Sequence, residues 1–228
     1  RRVYDERVIT SYDALLSQEV YRDTLRPDCI LQIGQMVVSK RVQQWVASMQ
    51  HITIISVSPT MDYTNPAGNT TLFVQSTPQG LVDALNMEIS ELHVMANEVH
   101  AEVADEELDT ADNGYLATWI DADGVGRKQL DTVVREQELF EGYTIHLLQE
   151  LLPEHSQIMI ANSMSIRDMD YFWAGNRHSA IIYGNRGVNG IDGTVSTTLG
   201  IATNGVPTVL LTGDLTFFHD LNGLAVAK

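Results

Sequence analysis

Gln157-Ile-Met-Ile-Ala-Asn-Ser-Met-Ser-Ile-Arg-Asp-Met-Asp-Tyr-Phe-Trp173 is a short apolar run, a two-residue polar turn, then apolar residues at helical spacing. A continuous apolar run of strand length reads as a strand buried on both faces, the signature of a parallel sheet covered by helices. The expected elements are a strand over 157–161, a turn at Asn162-Ser163 and a helix over 164–173, in which Ser165 and Asp168 have the spacing of a capping box. The same grammar repeats downstream. A strand over 180–183 leads through the Gly-rich segment 184–190 into a helix over 191–201. A strand over 207–211 leads through Thr212-Gly213-Asp214 into an apolar-striped helix containing Phe217, Leu221 and Leu224.

Upstream, helices around 115–134 and 137–152 open this unit, the second stopped by Pro153. Earlier still, apolar residues recur at helical spacing over 11–25, and Cys29-Ile-Leu-Gln-Ile33 reads as a strand. Val38, Val42, Trp45, Val46 and Met49 then mark one face of a helix. Strands at 52–57 and 72–75 and a helix over 78–87 complete the pattern. The fold class is α/β, with parallel sheets flanked by helices in two units. Residues 83–112 hold ten acids and neither Lys nor Arg. Such a block reads as a solvated helix face or linker, with a docking or cation site as the alternative and His93 and His100 as its possible metal pair. The boundaries are an α/β unit over 1–90, an acidic linker over 91–112 and a second unit over 113–228.

The chain has a net charge of −16, is 44% hydrophobic and contains one cysteine, Cys29. An acidic surface repels phosphate backbones, which argues against nucleic acid as a partner. No apolar run approaches the ~18 residues of a membrane span. One cysteine excludes an internal disulfide framework and suits a reducing compartment, so a cytoplasmic location is expected. The chain opens on Arg1-Arg2 and closes on Lys228 inside an apolar pattern, which reads as a piece of something longer.

In open parallel sheets ligands gather beyond the carboxyl ends of the strands. Three segments occupy such positions in the second unit. After the first strand, Ser163 and Arg167 share a helix face at i, i+4 and offer a hydroxyl and a guanidinium to a carboxylate; the plainer alternative is a cap plus an Arg pairing with Asp170. After the second, Gly184-Asn-Arg-Gly-Val-Asn-Gly-Ile-Asp-Gly193 is either a tight turn or a cradle whose N–H groups meet an anion. After the third, Asp214 is either a helix cap or the carboxylate partner of a divalent cation. His219 and Asp220 have the types of an acid/base pair but no third group. Together the three tips describe a site for a phosphorylated ligand bridged by a metal.

Asn162-Ser-Met-Ser-Ile-Arg-Asp168, Tyr183-Gly-Asn-Arg-Gly-Val-Asn-Gly-Ile-Asp-Gly193 and Leu211-Thr-Gly-Asp-Leu-Thr-Phe-Phe-His-Asp-Leu-Asn-Gly-Leu224 resemble the diphosphate-binding half of the thiamine-diphosphate synthases of menaquinone biosynthesis (SEPHCHC synthases). Gln32-Ile-Gly34 and Ser39-Lys-Arg-Val-Gln-Gln-Trp45 are similar to the family's central domain. The resemblance spans nearly the whole chain, weakly over 85–112. It implies a three-domain enzyme of which this sequence holds part of the central and part of the diphosphate-binding domain, the second truncated at its C-terminal end. The pyrimidine-binding domain with its activating Glu would lie outside these residues, and the metal motif's second ligand, an Asn, downstream of Lys228.

By resemblance, Asp214 is the ligand of Mg²⁺ (or Mn²⁺), and Gly213, Leu215 and Thr216 flank it at the diphosphate. Leu215 replaces a Gly of the general thiamine-diphosphate motif, as in this subfamily. Gly190, Ile191, Asp192 and Gly193 would lie near the thiazolium, with Ile191 as the apolar wedge beneath it. Ser163, Arg167, Arg186 and Lys40 match positions that meet the carboxylates of 2-oxoglutarate and isochorismate. The implied reaction decarboxylates 2-oxoglutarate and adds the succinyl unit to isochorismate in a conjugate sense, in a homodimer or homotetramer. Local charge agrees: residues 157–205 hold Arg167, Arg177 and Arg186 against Asp168, Asp170 and Asp192. These 228 residues alone would then be inactive. The alternatives are another thiamine-diphosphate decarboxylase or carboligase, and a non-catalytic α/β module.

Overall fold

The computed structural model describes residues 5–60, 65–99, 113–175 and 179–227, and for 91–99 and 113 the backbone alone. His93, His100, the remainder of the acidic segment from 100 to 112 and Arg177 therefore lie outside the described side chains. The architecture is α/β, with two separate three-stranded parallel sheets. The chain divides into two compact units, Glu19–Thr118 and Arg1–Gln18 together with Trp119–Lys228. The structure thus groups the first 18 residues with the C-terminal unit.

The expected helix over 11–25 is two helices, α1 (Tyr12–Leu15) and α2 (Glu19–Thr24). The break has a local cause, since the Ser17 hydroxyl donates back to the Ala14 carbonyl at 2.6 Å and the turn closes there. It is also where the chain passes from one unit to the other. In the unit 19–118, β1 (Cys29–Ile33), α3 (Lys40–Ser48), β2 (Thr53–Ser58) and β3 (Leu72–Gln75) form a sheet of order β1-β2-β3 with β2 central. Ile54 and Val57 of β2 are buried, as are Val46 of α3 and Met49 at its end. Trp45 ties α3 to the chain before β1 by donating from Nε1 to the Arg22 carbonyl at 3.0 Å. Helix α4 (Pro78–Val99) runs well past the expected stop near 87, because Glu and the long apolar residues there favour helix. Helix α5 (Asn113–Glu136) follows.

The C-terminal unit is built on β4 (Gln157–Ile160), flanked by β5 (Ile181–Gly184) on one side and β6 (Thr208–Leu211) on the other. Every residue of β4 is buried, as a central parallel strand requires. Helices α6 (Glu141–Leu151), α7 (Met164–Phe172) and α8 (Thr194–Ala202) complete the layer, followed by α9 (Asp214–His219) and a 3₁₀ helix, Leu221–Val226. Ile145 and Leu152, Ile158 and Ile160, and Met169, Trp173 and Ala180 form the core between α6, α7 and the sheet. Asp123 of α5 anchors the N-terminal segment, accepting the Ser11 N–H and hydroxyl, each at 2.6 Å. Among the described residues no helix is long and apolar enough to cross a membrane.

Two expected elements end differently. The last apolar-striped helix breaks at Asp220, because that carboxylate accepts from the Ser196 N–H at 2.7 Å and its hydroxyl at 3.1 Å. This assigns Asp220 a tie to α8 and leaves no acid/base pairing with His219. The capping box is not formed either. Ser163 occupies the N-cap position of α7 and its side chain makes no cap bond, so Ser165 lies inside the helix.

Close packing of α6 on α7 makes Gly142 a sensitive position. A Cβ there would stand 2.5 Å from ring carbons of both Phe140 and Phe172, which are stacked edge to face. Gly142→Ala is expected to destabilise the protein by about 1–3 kcal/mol through overpacking. Urea unfolding checks this, and an unchanged midpoint would mean that the rings move aside freely.

Candidate functional site

Because all three strands are parallel, the segments after β4, β5 and β6 emerge at one edge of the sheet. The strand order reverses around β4, so right-handed crossovers place α7 and α8 on opposite faces and open a crevice at that edge. The Ala161 N–H closes the ladder onto the Leu211 carbonyl at 2.9 Å, after which the chains diverge.

Ser163 turns the chain from β4 into α7 with φ 72° and ψ −126°. That conformation costs a non-glycine residue about 1–3 kcal/mol and persists only where its surroundings enforce it. Its neighbours do so, since Asn162 is buried and hydrogen bonded while Ser163 itself is exposed. Arg167 lies one turn along, also exposed; its guanidinium touches the Met164 sulfur at 3.6 Å and pairs with no acid among the described residues. Asp170 instead accepts from the Tyr12 hydroxyl at 2.5 Å. Burial, reinforced by the Glu141 carboxylate, pushes the half-buried Asp168 carboxyl above its usual range, with Arg167 opposing.

After β5, the half-buried Arg186 lays its aliphatic stem 3.7 Å from where a Cβ of Gly184 would stand, and Nη1 donates to Asn162 Oδ1 at 2.7 Å. Gly190 to Gly193 form a turn rather than the first turn of a helix. Helix α8 begins only at Thr194, because Gly193 adopts φ 65°, a left-handed conformation that a helix cannot include. The Asp192 carboxylate folds over Gly190, in the space a Cβ would take. Ile191 is half-buried and its carbonyl accepts from the Thr194 hydroxyl at 3.2 Å.

After β6, Gly213 is the N-cap of α9 and Asp214 its first residue. Asp214 is exposed, and its Oδ1 accepts from the Leu215 N–H at 2.8 Å. It is neither turned into the core nor the N-cap, and the helix starts at Asp214 itself rather than after it. Leu215 is 74% exposed and Thr216 is buried. Helix α9 packs against α8, so the third tip and the glycine-bearing turn belong to neighbouring elements. Lys40 is exposed at the first position of α3, in the other unit, behind Ser39, whose hydroxyl caps the helix by accepting from the Val42 N–H at 3.1 Å.

No group of three or more His, Cys, Asp or Glu side chains that could hold a metal occurs among the described residues. The edge carries two exposed carboxylates, Asp192 folded over Gly190 and Asp214 at the start of α9; so small a donor set suits Mg²⁺ held through a diphosphate and waters rather than by a protein cage. The residues present fit that group. Asn162, which the sequence reading passes over as a simple turn residue, proves to be the junction between two of the loops. The available signal is its position, a carboxamide directly after the central buried strand.

No protein-family model matches the chain. Among curated proteins, it is 45% identical over 97% of its length to the 2-succinyl-5-enolpyruvyl-6-hydroxy-3-cyclohexene-1-carboxylate synthase of Lactococcus lactis subsp. lactis. It is 39% identical to the synthase of that name from Desulfitobacterium hafniense and 34% identical to that of Bacillus cytotoxicus, each again over 97% of the chain. The chain spans 36% of the length of the first two and 35% of the third. Across nearly all of its residues, therefore, the chain belongs with the 2-succinyl-5-enolpyruvyl-6-hydroxy-3-cyclohexene-1-carboxylate (SEPHCHC) synthases, as the counterpart of a segment a little over a third of their length.

Proposed function

We propose that this chain carries the diphosphate-binding edge and part of the substrate-binding surface of a SEPHCHC synthase, joining 2-oxoglutarate to isochorismate with loss of carbon dioxide. The observation that supports this most directly is the meeting of three loop tips at one edge of a parallel sheet, where two guanidiniums and an exposed carboxylate pair with no opposite charge among the described residues. Thiamine diphosphate, when bound, supplies the nucleophilic carbon and the electron sink. Asp214 holds Mg²⁺ or Mn²⁺, with Gly213, Leu215 and Thr216 beside the diphosphate. The turn Gly190, Ile191, Asp192 and Gly193 supports the cofactor's ring, Ile191 supplying its apolar contact.

Ser163, Arg167, Arg186 and Lys40 bind and orient substrate carboxylates, which both substrates carry in pairs. Guanidiniums suit that task, because their forked donors match a carboxylate. The acid excess over 83–112 lies elsewhere in the sequence and leaves the cationic positions their local charge. The units 1–90 and 113–228, joined by the acidic stretch 91–112, correspond in this reading to parts of the central and diphosphate-binding domains. The complete protein is a cytoplasmic homodimer or homotetramer.

The test uses the whole protein with its cofactor and metal. It is expected to consume isochorismate only when 2-oxoglutarate is present, and the 228 residues alone are expected to show no turnover. Equal consumption with pyruvate would replace this reading with another thiamine-diphosphate carboligase. Turnover by the isolated 228 residues would overturn the division of labour proposed here.

A further inference from the structure

We propose that Asn162 is the positioning residue of this site: it holds the Arg186 guanidinium at the sheet edge with a neutral oxygen, leaving the positive charge available to a substrate carboxylate. The proposal rests on the function proposed above and adds to it a residue that touches no ligand. Asn162 is 5% exposed, two residues beyond the end of β4. Its Nδ2 donates to the Asn185 carbonyl at 3.0 Å and to the Gly190 carbonyl at 2.6 Å, while its Oδ1 accepts from Arg186 Nη1 at 2.7 Å. Both donor hydrogens and the acceptor are in use. The orientation of the amide is dictated by these partners, because a flipped amide would set its oxygen against two carbonyl oxygens and its NH₂ against a guanidinium.

One side chain thus pins both ends of the loop that runs from Arg186 to the glycine-bearing turn. The chemistry of the acceptor decides what this does to Arg186. A carboxylate at position 162 would also grip the guanidinium, but as an ion pair that cancels its charge. It would also face the carbonyls of Asn185 and Gly190 with no hydrogen to offer. The carboxamide fixes the geometry and leaves the charge in place, and among the described residues no acid pairs with Arg186. The same anchor lies directly before Ser163, whose left-handed backbone needs such enforcement.

The experiment compares Asn162→Asp, Asn162→Ser, Arg186→Ala and the double variant Asn162→Ser with Arg186→Ala in the whole enzyme. Steady-state kinetics are measured for each substrate, together with amide hydrogen exchange over residues 185–193. Asn162→Asp, which cancels the charge of the guanidinium, and Asn162→Ser, which removes its hydrogen bond, are each expected to raise KM for a carboxylate substrate at least about 10-fold with a much smaller change in kcat. Exchange over 185–193 should quicken in Asn162→Ser. The double variant should be no worse than Arg186→Ala alone, since the two residues act in series. Unchanged KM in both single variants, or effects of Asn162→Ser and Arg186→Ala that simply multiply, would overturn the positioning role while the wild-type activity stands. A wild-type enzyme that fails to join the two substrates would overturn the function itself, and this proposal with it.

Discussion

Asp214→Ala is expected to weaken Mg²⁺–thiamine diphosphate binding by at least about 100-fold, since loss of even an outer partner of a metal site costs 10–100-fold. Asp214→Asn separates the two jobs this carboxylate could do. Its Oδ1 accepts the Leu215 N–H at 2.8 Å at the start of α9, and an amide oxygen keeps that bond. What the amide lacks is charge, which a hard dication held by one protein carboxylate and a diphosphate requires. As an acid in the first helical turn, Asp214 contributes only about 0.3–1 kcal/mol to stability, so neither variant should unfold the protein. Titration calorimetry on the whole protein reads the affinity and thermal unfolding reads the fold. Binding lost in both variants at a nearly constant Tm is the expected pattern. Full binding by Asp214→Asn would reduce Asp214 to a helix-starting residue and move the metal elsewhere.

The central strand of the C-terminal sheet was legible in the sequence because a parallel strand covered on both faces is written as an uninterrupted apolar run. Ile158-Met-Ile160 is such a run, and all of β4 is buried. Periodicity failed where the backbone answered to something other than an apolar stripe. The spacing over 11–25 is helical throughout, yet Ser17 folds onto Ala14 and the chain changes units there. An apolar stripe carries no record of which unit it packs against. The acids of 83–112 read as a solvated helix face or a linker, and up to Val99 the first holds, since Glu is a good helix former and α4 runs on past the expected stop near 87.

At the sheet edge, the rule that ligands gather beyond strand carboxyl ends selected three segments that the parallel sheet brings to one edge, and Ser163, Arg167, Arg186 and Asp214 stood out by charge or polarity. Asn162 could not stand out that way. It is neutral, has no role of its own in the segment it opens, and its partners lie 23 and 28 residues downstream. Its work depends on two carbonyls that only the folded loop brings within reach. The start of α8 was missed for a related reason, since a glycine at φ 65° is indistinguishable in sequence from one inside a helix.

Trp173→Ala is expected to be the most destabilising single truncation in the C-terminal unit. Trp173 is fully buried, closes α7 by donating its N–H to the Met169 carbonyl at 3.1 Å, and shares a core with Ile145, Ile158 and Ile160. Removing a buried aromatic of this size loses its transfer free energy and leaves a cavity, about 3–5 kcal/mol together. Against a total stability of about 5–15 kcal/mol, that is enough to lower Tm by roughly 10 °C. The consequence reaches the sheet edge, because α7 begins at Met164, directly after Ser163, and carries Arg167; loosening its far end removes part of what holds the strained serine in place. Val188→Ala is the matched control. Val188 is 96% exposed in the loop after β5, so its truncation should stay within about 0.5 kcal/mol of the parent. Thermal and urea unfolding of the two variants side by side distinguish a load on the core from a general sensitivity of the unit, and similar losses in both would place Trp173 outside the cooperative core.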